Sequence, residues 1–208
     1  MTFKNLIHIV EGGAVLDHWL AAAFAFGGAM QFAFIALPET LAATLAIHFQ
    51  PFAVPCMKVG VISDTHGLLR PEALAALKGC EKIIHAGDIG KPEVLEHLAA
   101  IAPLFVVRGN NDQGVPWADH LPDFLRLDLG GWRTLLVHDI ADVPAMLDEG
   151  TKLVITGHSH KPLIQWRGET LYLNPGSAGP RRFKLPVTLA LLEVFDTAIE
   201  PHLVSLLE

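Results

Sequence analysis

Cysteine is nearly absent from the 208-residue chain, which holds only Cys56 and Cys80. Two thiols are too few for a disulfide framework and lack the paired spacing of a thiolate zinc site, so a reducing, cytoplasmic setting is expected. Positive charge is also short. Fifteen Lys and Arg stand against 22 Asp and Glu, for a formal net charge of -7. That balance excludes the broad basic surface that drives non-specific nucleic-acid binding, so any phosphate contact must be local. The scarcity of charge is extreme in residues 1–56, where Lys4, Glu11, Asp17 and Glu39 are the only charged groups and 36 of the 56 residues are apolar. The length admits one domain, or one domain with an extension.

This apolar extension, residues 1–56, admits three readings. Residues 18–38 carry no formal charge and read LAAAFAFGGAMQFAFIAL at their centre. About 20 apolar residues span a bilayer as a helix, so a membrane anchor confined to residues 18–38 is one expectation. Gly27, Gly28 and the lack of flanking Lys/Arg clusters weigh against it. A cleaved signal peptide fits less well, because the stretch exceeds the roughly 7 to 15 residues of a signal core. The third reading, ranked first, places the natural start at Met57, directly before a strand. Residues 57–208 are then expected to fold and act without the extension.

From Met57 onward, short apolar runs alternate with helical patterns, the signature of βαβ units. Residues 58–63, 82–85, 104–107, 134–137 and 152–156 are too short for helices and rich in branched side chains, which predicts strands. Pro71 opens the helical pattern PEALAALK, which Gly79 follows; Pro92 opens PEVLEHLAA, with Val94, Leu95, Leu98 and Ile101 on one face. After Gly168, the runs ETLYL, VTLALLEV and IEPHLVSL predict strands joined by turns. The domain reads as α/β with an antiparallel tail.

Each of the first five runs ends in a side chain able to bind metal. Asp64 and His66 follow the first, Asp88 the second, Asn110 the third, His138 the fourth, and His158 and His160 the fifth. Ligands of open α/β sheets bind beyond the carboxyl ends of the strands, so these seven are expected on one rim. Singly, each has an ordinary reading: Asp64 as a cap, Asn110 beside Gly109 as a left-handed turn residue, His138 as a packed histidine. Together they supply donors for two ions, and no structural need calls for the set. Four imidazoles disfavour an all-oxygen magnesium or calcium site and favour manganese, zinc, iron, nickel or cobalt, with manganese placed first. Two such ions sharing a carboxylate polarise a phosphoryl group and supply hydroxide near neutral pH, so phosphoester hydrolysis is the expected chemistry. No G-x-S-x-G elbow supports a Ser-His-acid hydrolase.

The ordered series MKVGVISDTHG, HAGDIG, VVRGNND, LLVHD, ITGHSHKP and LNPGSAGPRR resembles the calcineurin-like metallophosphoesterases, most closely their small YfcE-like phosphodiesterases. The resemblance spans residues 57–208 and implies a four-layer α/β/β/α sandwich. It implies that Asp64, His66 and His160 hold one metal, that Asn110, His138 and His158 hold a second, and that Asp88 bridges both. It sets Asn111 and Asp112 beside Asp88 and Asn110 as catalytic residues, and Arg108, Asn174 and Ser177 as substrate-binding residues. The implied substrate is a small phosphoester, and a homo-oligomer is left open.

Two positions depart from the family pattern. Larger members read Gly-Asn-His-Asp or Gly-Asn-His-Glu, whose histidine is implied as the acid that protonates the leaving oxygen. Asn111 stands there instead and donates a hydrogen bond but no proton, which favours activated or diester substrates. His138-Asp139-Ile140 replaces His-Gly-His and keeps the first histidine. Arg181, Arg182 and Lys184 are expected as a solvated basic loop, His85 as a packed side chain, and Asp119, His120, Asp123 and Asp128 as a charged segment between strands. A second function class is an interaction scaffold, because the fold also resembles the small retromer subunit, whose site has degenerated. The seven intact donors favour the enzyme.

Overall fold

The computed structural model describes residues 9–10, 19–26, 29–36, 46–47 and 57–207, and the chain divides into two units, Met1–Phe52 and Ala53–Glu208. The first unit contains β1 (Ile9–Val10), β2 (Trp19–Phe26), β3 (Ala29–Ala36) and β4 (Ala46–Ile47), with β1 paired to β4 and β2 to β3, both antiparallel. Where it is described, the stretch expected as a membrane helix is therefore a pair of strands. Gly27-Gly28, between them in sequence, is a dipeptide that suits two-residue hairpins and weakens helices. Among the described residues no helix is long and apolar enough to cross a membrane. Residues 18, 27–28 and 37–38 of that stretch, and residues 48–56 before Met57, lie outside the described residues.

In the second unit, β5 (Met57–Ile62), α1 (Pro71–Leu77), β6 (Lys82–His85), α2 (Pro92–Ala99) and β7 (Leu104–Val106) alternate as the sequence predicts. Both helices start at a proline, whose missing N–H costs nothing at a first helical position. Then follow β8 (Phe124–Leu129), β9 (Trp132–Val137), β10 (Thr151–Ile155), β11 (Leu163–Arg167), β12 (Thr170–Asn174), β13 (Thr188–Val194) and β14 (Ile199–Ser205). They form two five-stranded mixed sheets, ordered β14-β13-β5-β6-β7 and β11-β12-β10-β9-β8. In the first, β5, β6 and β7 run parallel; in the second, β9, β10 and β12 do.

Burial explains the layering. Val59, Val61 and Ile84 of the first sheet share one buried cluster with Leu136, Leu153, Ile155 and Leu171 of the second, so the sheets pack face to face through it. A second cluster joins Ala73 and Leu77 of α1 and Val94 and Leu98 of α2 to Ile62 and Ile83, which places the helices on the outer face of the first sheet. On the far side, residues 139–150 contain only the 3-10 turn Ile140–Asp142. The helical layer among the described residues is thus α1 and α2; twelve residues containing Pro144 and Gly150 are poor material for another helix.

Two further differences from the sequence reading matter for the site. The five ligand-bearing runs do not share one open sheet, since β5, β6 and β7 belong to one and β9 and β10 to the other. The segment read as charged surface also contains β8, whose Leu125, Leu127 and Leu129 turn inward while Phe124, Arg126 and Asp128 stay exposed. That period-2 alternation is the strand signal.

Candidate metal centre

Five of the seven candidate ligands sit on an unusual backbone. Asp64, His66, Asp88, His158 and His160 have φ between 45° and 64°, the left-handed region that costs a non-glycine residue about 1–3 kcal/mol. Backbone hydrogen bonds between loops offset that cost: Asp64 N to Gly87 O at 3.0 Å, His66 N to Asp88 O at 3.0 Å, Gly67 N to Ile89 O at 2.7 Å and Gly157 N to His138 O at 2.8 Å. Glycine is required at two close approaches. A Cβ on Gly109 would overlap Asp88, and one on Gly157 would overlap Ser63 Oγ.

These loops gather two triads, Asp64–His66–His160 and Asp88–His138–His158, each with its ligand atoms within 4.8 Å of one another. In the first, His66 Nε2 lies 3.2 Å from His160 Nε2, and His160 Nε2 lies 3.2 Å from Asp64 Oδ1. In the second, Asn110 Oδ1 lies 3.2 Å from His138 Nε2 and 3.0 Å from His158 Nδ1. Asp88 faces both triads, with Oδ2 3.9 Å from His66 Nε2 and Oδ1 3.4 Å from His138 Nε2.

The donor set fits divalent cations. Asp64 Oδ2 accepts from Ser63 Oγ at 2.6 Å and His158 N at 3.1 Å, whereas Oδ1, equally buried, makes no hydrogen bond although His160 Nε2 lies 3.2 Å from it. A buried carboxylate oxygen without a proton donor is costly unless a cation takes that place. Asp88 is held in its charged form. Burial opposes ionisation, yet hydrogen bonds from His138 and from Asn111 keep its carboxyl well below the usual range. His138 is more basic than usual: burial opposes its charging, but Asp88 and the Ala86 carbonyl outweigh that. His66 is shifted the other way, mainly by burial, with Arg182 adding to the shift and Asp88 resisting it.

Residues 57–197 match the calcineurin-like phosphoesterase superfamily domain. The chain belongs to that superfamily. It is 33% identical over 148 residues to a protein of Methanothermobacter thermautotrophicus named "Probable metallophosphoesterase", a match covering 65% of this chain and 85% of that one. Among solved structures, YfcE, a phosphoesterase from E. coli, aligns with a TM-score of 0.54 and 25% identity over 73% of this chain and all (100%) of its own. A Vps29 single mutant from Entamoeba histolytica aligns with a TM-score of 0.56 and 24% identity over 72% of this chain and 99% of its own, a likeness of fold alone.

Several residues expected at the site make structural hydrogen bonds. Asp112, expected among the catalytic residues, is fully buried, and its carboxylate accepts from the N–H groups of Ile89, Gly90 and Gly109 at 2.9–3.0 Å. It is a positioning residue, because it ties the loop after β6 to the loop after β7. Asn174 and Ser177, expected to bind substrate, are buried: Asn174 Nδ2 donates to Gly157 O at 2.6 Å and Ser177 Oγ donates to Asp64 O at 2.9 Å. Both pin ligand-bearing loops. Arg108 is paired with Asp123 at 2.5 and 3.1 Å. Asn110 opens a 3-10 turn and is not among the left-handed residues. The basic loop is exposed as expected, and Arg182 Nη2 lies 3.2 Å from His66 Nε2. Asp139, at a departure from the family pattern, has Oδ2 3.5 Å from His158 Nε2.

His85 supports the phosphoesterase loops from beneath. Its Nδ1 accepts from Gly87 N at 3.2 Å, which assigns the proton to Nε2, 3.0 Å from Thr65 Oγ1. Burial pushes its pKa down to about 4, against the pull of Asp112 and Asp64. The unfolded chain binds this proton near pH 6.5, so between about pH 6.5 and 4 the unfolded state holds more protons and stability rises with pH. Stability should therefore be complete above about pH 6.5 and fall by about 3 kcal/mol as the pH drops towards 4. Urea unfolding of His85→Gln, which cannot titrate, should show a shallower loss; an unchanged slope would assign the acid sensitivity elsewhere.

Proposed function

We propose that the chain is a metal-dependent phosphodiesterase with a dinuclear centre. One observation carries the reading: the two oxygens of Asp88 are divided between two histidine-rich triads. Asp64, His66 and His160 would hold one ion, Asn110, His138 and His158 the other, with Asp88 shared. Two divalent transition ions, manganese foremost and zinc, iron, nickel or cobalt as alternatives, supply when bound the polarisation of a phosphoryl group and hydroxide near neutral pH.

The chain's own residues prepare that place. His138 Nδ1 donates to Ala86 O at 2.7 Å, which orients Nε2 towards the site, where a bound ion would take the place of the proton it shares with Asp88. Asn111 donates to Asp88 through its backbone N at 2.9 Å and its Nδ2 at 2.7 Å, and so fixes the plane of the shared carboxylate. Arg182 brings a guanidinium to the rim, where it suits a phosphoryl oxygen. The names of the relatives agree with a small phosphoester as substrate. Hydrolysis of an aryl phosphodiester should appear with added manganese and vanish with chelator. No hydrolysis under any divalent metal would leave the scaffold reading.

Asn111 predicts how the rate responds to chemistry. No proton donor occupies its position, so the rate should depend steeply on leaving-group pKa. Asn111→His should speed alkyl esters more than aryl esters, by up to the roughly 10² to 10⁴ typical of general acid catalysis. Rates across a series of aryl and alkyl diesters check this, and a flat dependence in the natural sequence would contradict it.

A further inference from the structure

Beside the second triad a cleft of about 710 Å³ opens along the outer face of the second sheet, within the roughly 300–1,000 Å³ of small-molecule sites. Asn110, His138 and His158 are among the residues that line it. The wall is built by β8 and β9, where Phe124 stands directly opposite Val137 and Arg126 opposite Leu135. Cross-strand partners share a face, so these four side chains look the same way. The cleft exists because residues 139–150 form only a short turn and cover this face incompletely.

Phe124 is the informative residue. Val137 and Leu135 beside it are buried, yet its ring is 50% exposed. The Arg126 guanidinium lies 5.0 Å from the ring centroid and is anchored by Asp148. The guanidinium covers one face of the half-exposed ring, and the other face is of the kind on which planar heteroaromatic groups stack. Charge narrows the ligand further. Arg108 and Arg126 are each committed to a carboxylate, Asp123 and Asp148, while Asp139 and Asp142 also line the cleft. An arm bearing a second phosphate would meet net negative charge, whereas an uncharged arm with N–H donors would not.

We infer that this cleft binds a nucleoside: the substrate is a nucleoside phosphoester whose phosphoryl group meets the metal triads and whose base stacks on Phe124. The phosphoryl end of this assignment rests on the phosphodiesterase reading, and the base end on the cleft alone.

The test is equilibrium binding to the manganese-loaded full chain, read by calorimetry, with thymidine 5′-monophosphate and 2-deoxyribose 5-phosphate, which lacks the base. The nucleotide should bind about 5- to 150-fold more tightly, the range that one base–aromatic stack produces. Phe124→Ala should erase that preference without weakening the sugar phosphate, and Phe124→Tyr should keep it. Equal affinity of the two ligands in the natural protein, absence of binding by both, or a preference that survives Phe124→Ala overturns the inference. A Phe124-dependent preference without hydrolysis of any phosphoester would uphold the cleft and overturn the phosphodiesterase reading; hydrolysis without the preference would do the reverse.

Discussion

Replacing Asp88 by alanine should abolish phosphoester hydrolysis and strip the protein of both ions at once. The carboxylate offers one oxygen to each triad, so it is the only candidate ligand facing both places. Two cations held close repel each other, and a shared anion offsets that repulsion. Removing it also leaves the Asn111 N–H and amide, which now donate to it, without an acceptor. Loss of a group that merely orients a ligand costs roughly 10- to 100-fold in metal affinity or activity, so loss of the shared ligand should exceed that range. His66→Ala, which removes a donor from one triad, should leave more metal bound than Asp88→Ala does. Elemental analysis after dialysis, together with kcat/KM on an aryl phosphodiester, measures both effects. Two ions retained with natural turnover in Asp88→Ala would defeat the dinuclear assignment.

The legibility of this site in the sequence followed the range of the interactions that build it. The starts of α1 and α2 were readable because Pro71 and Pro92 act within one turn, and β6 because residues 82–85 form an isolated apolar run. The seven candidate ligand positions could be proposed because each lies within five residues of the end of a strand. The division of those strands between two sheets was not readable, since it depends on which strand pairs with which across dozens of residues. β8 was missed because its charges outweighed its alternation; Arg126 and Asp128 decorate one face while three leucines fill the other. Nor did the sequence announce the left-handed backbone at His66, His158 and His160. Histidine enters that region more often than most side chains but still in a small minority of cases, so local pattern cannot place it there, and neighbouring loops hold the strain. The place of Arg182 against His66 was not readable for the same reason: it is set by a loop that local pattern does not constrain.

Asp112→Ala should be among the most destabilising single substitutions in the phosphoesterase domain. Its side chain is fully buried and gathers three backbone N–H groups, those of Ile89, Gly90 and Gly109. Alanine would leave all three without acceptors. A buried donor left unpaired costs about 1–3 kcal/mol, and solvent entering the gap would recover part of it, so a loss of about 4 kcal/mol is expected. Asp112→Asn keeps one oxygen acceptor but presents an amide to donors, and should fall between the two. Asp128→Ala is the matched control, because Asp128 accepts one backbone bond, from Gly131 N at 2.8 Å, in an exposed turn. That change should cost about 1 kcal/mol or less. Urea denaturation of the three variants under one buffer gives the ranking. Because the same carboxylate holds the Asp88 loop against the Asn110 loop, Asp112→Asn should also lower metal affinity while its fold persists. A stability loss below about 1 kcal/mol in Asp112→Ala would mean that the two loops are held together by something other than this carboxylate.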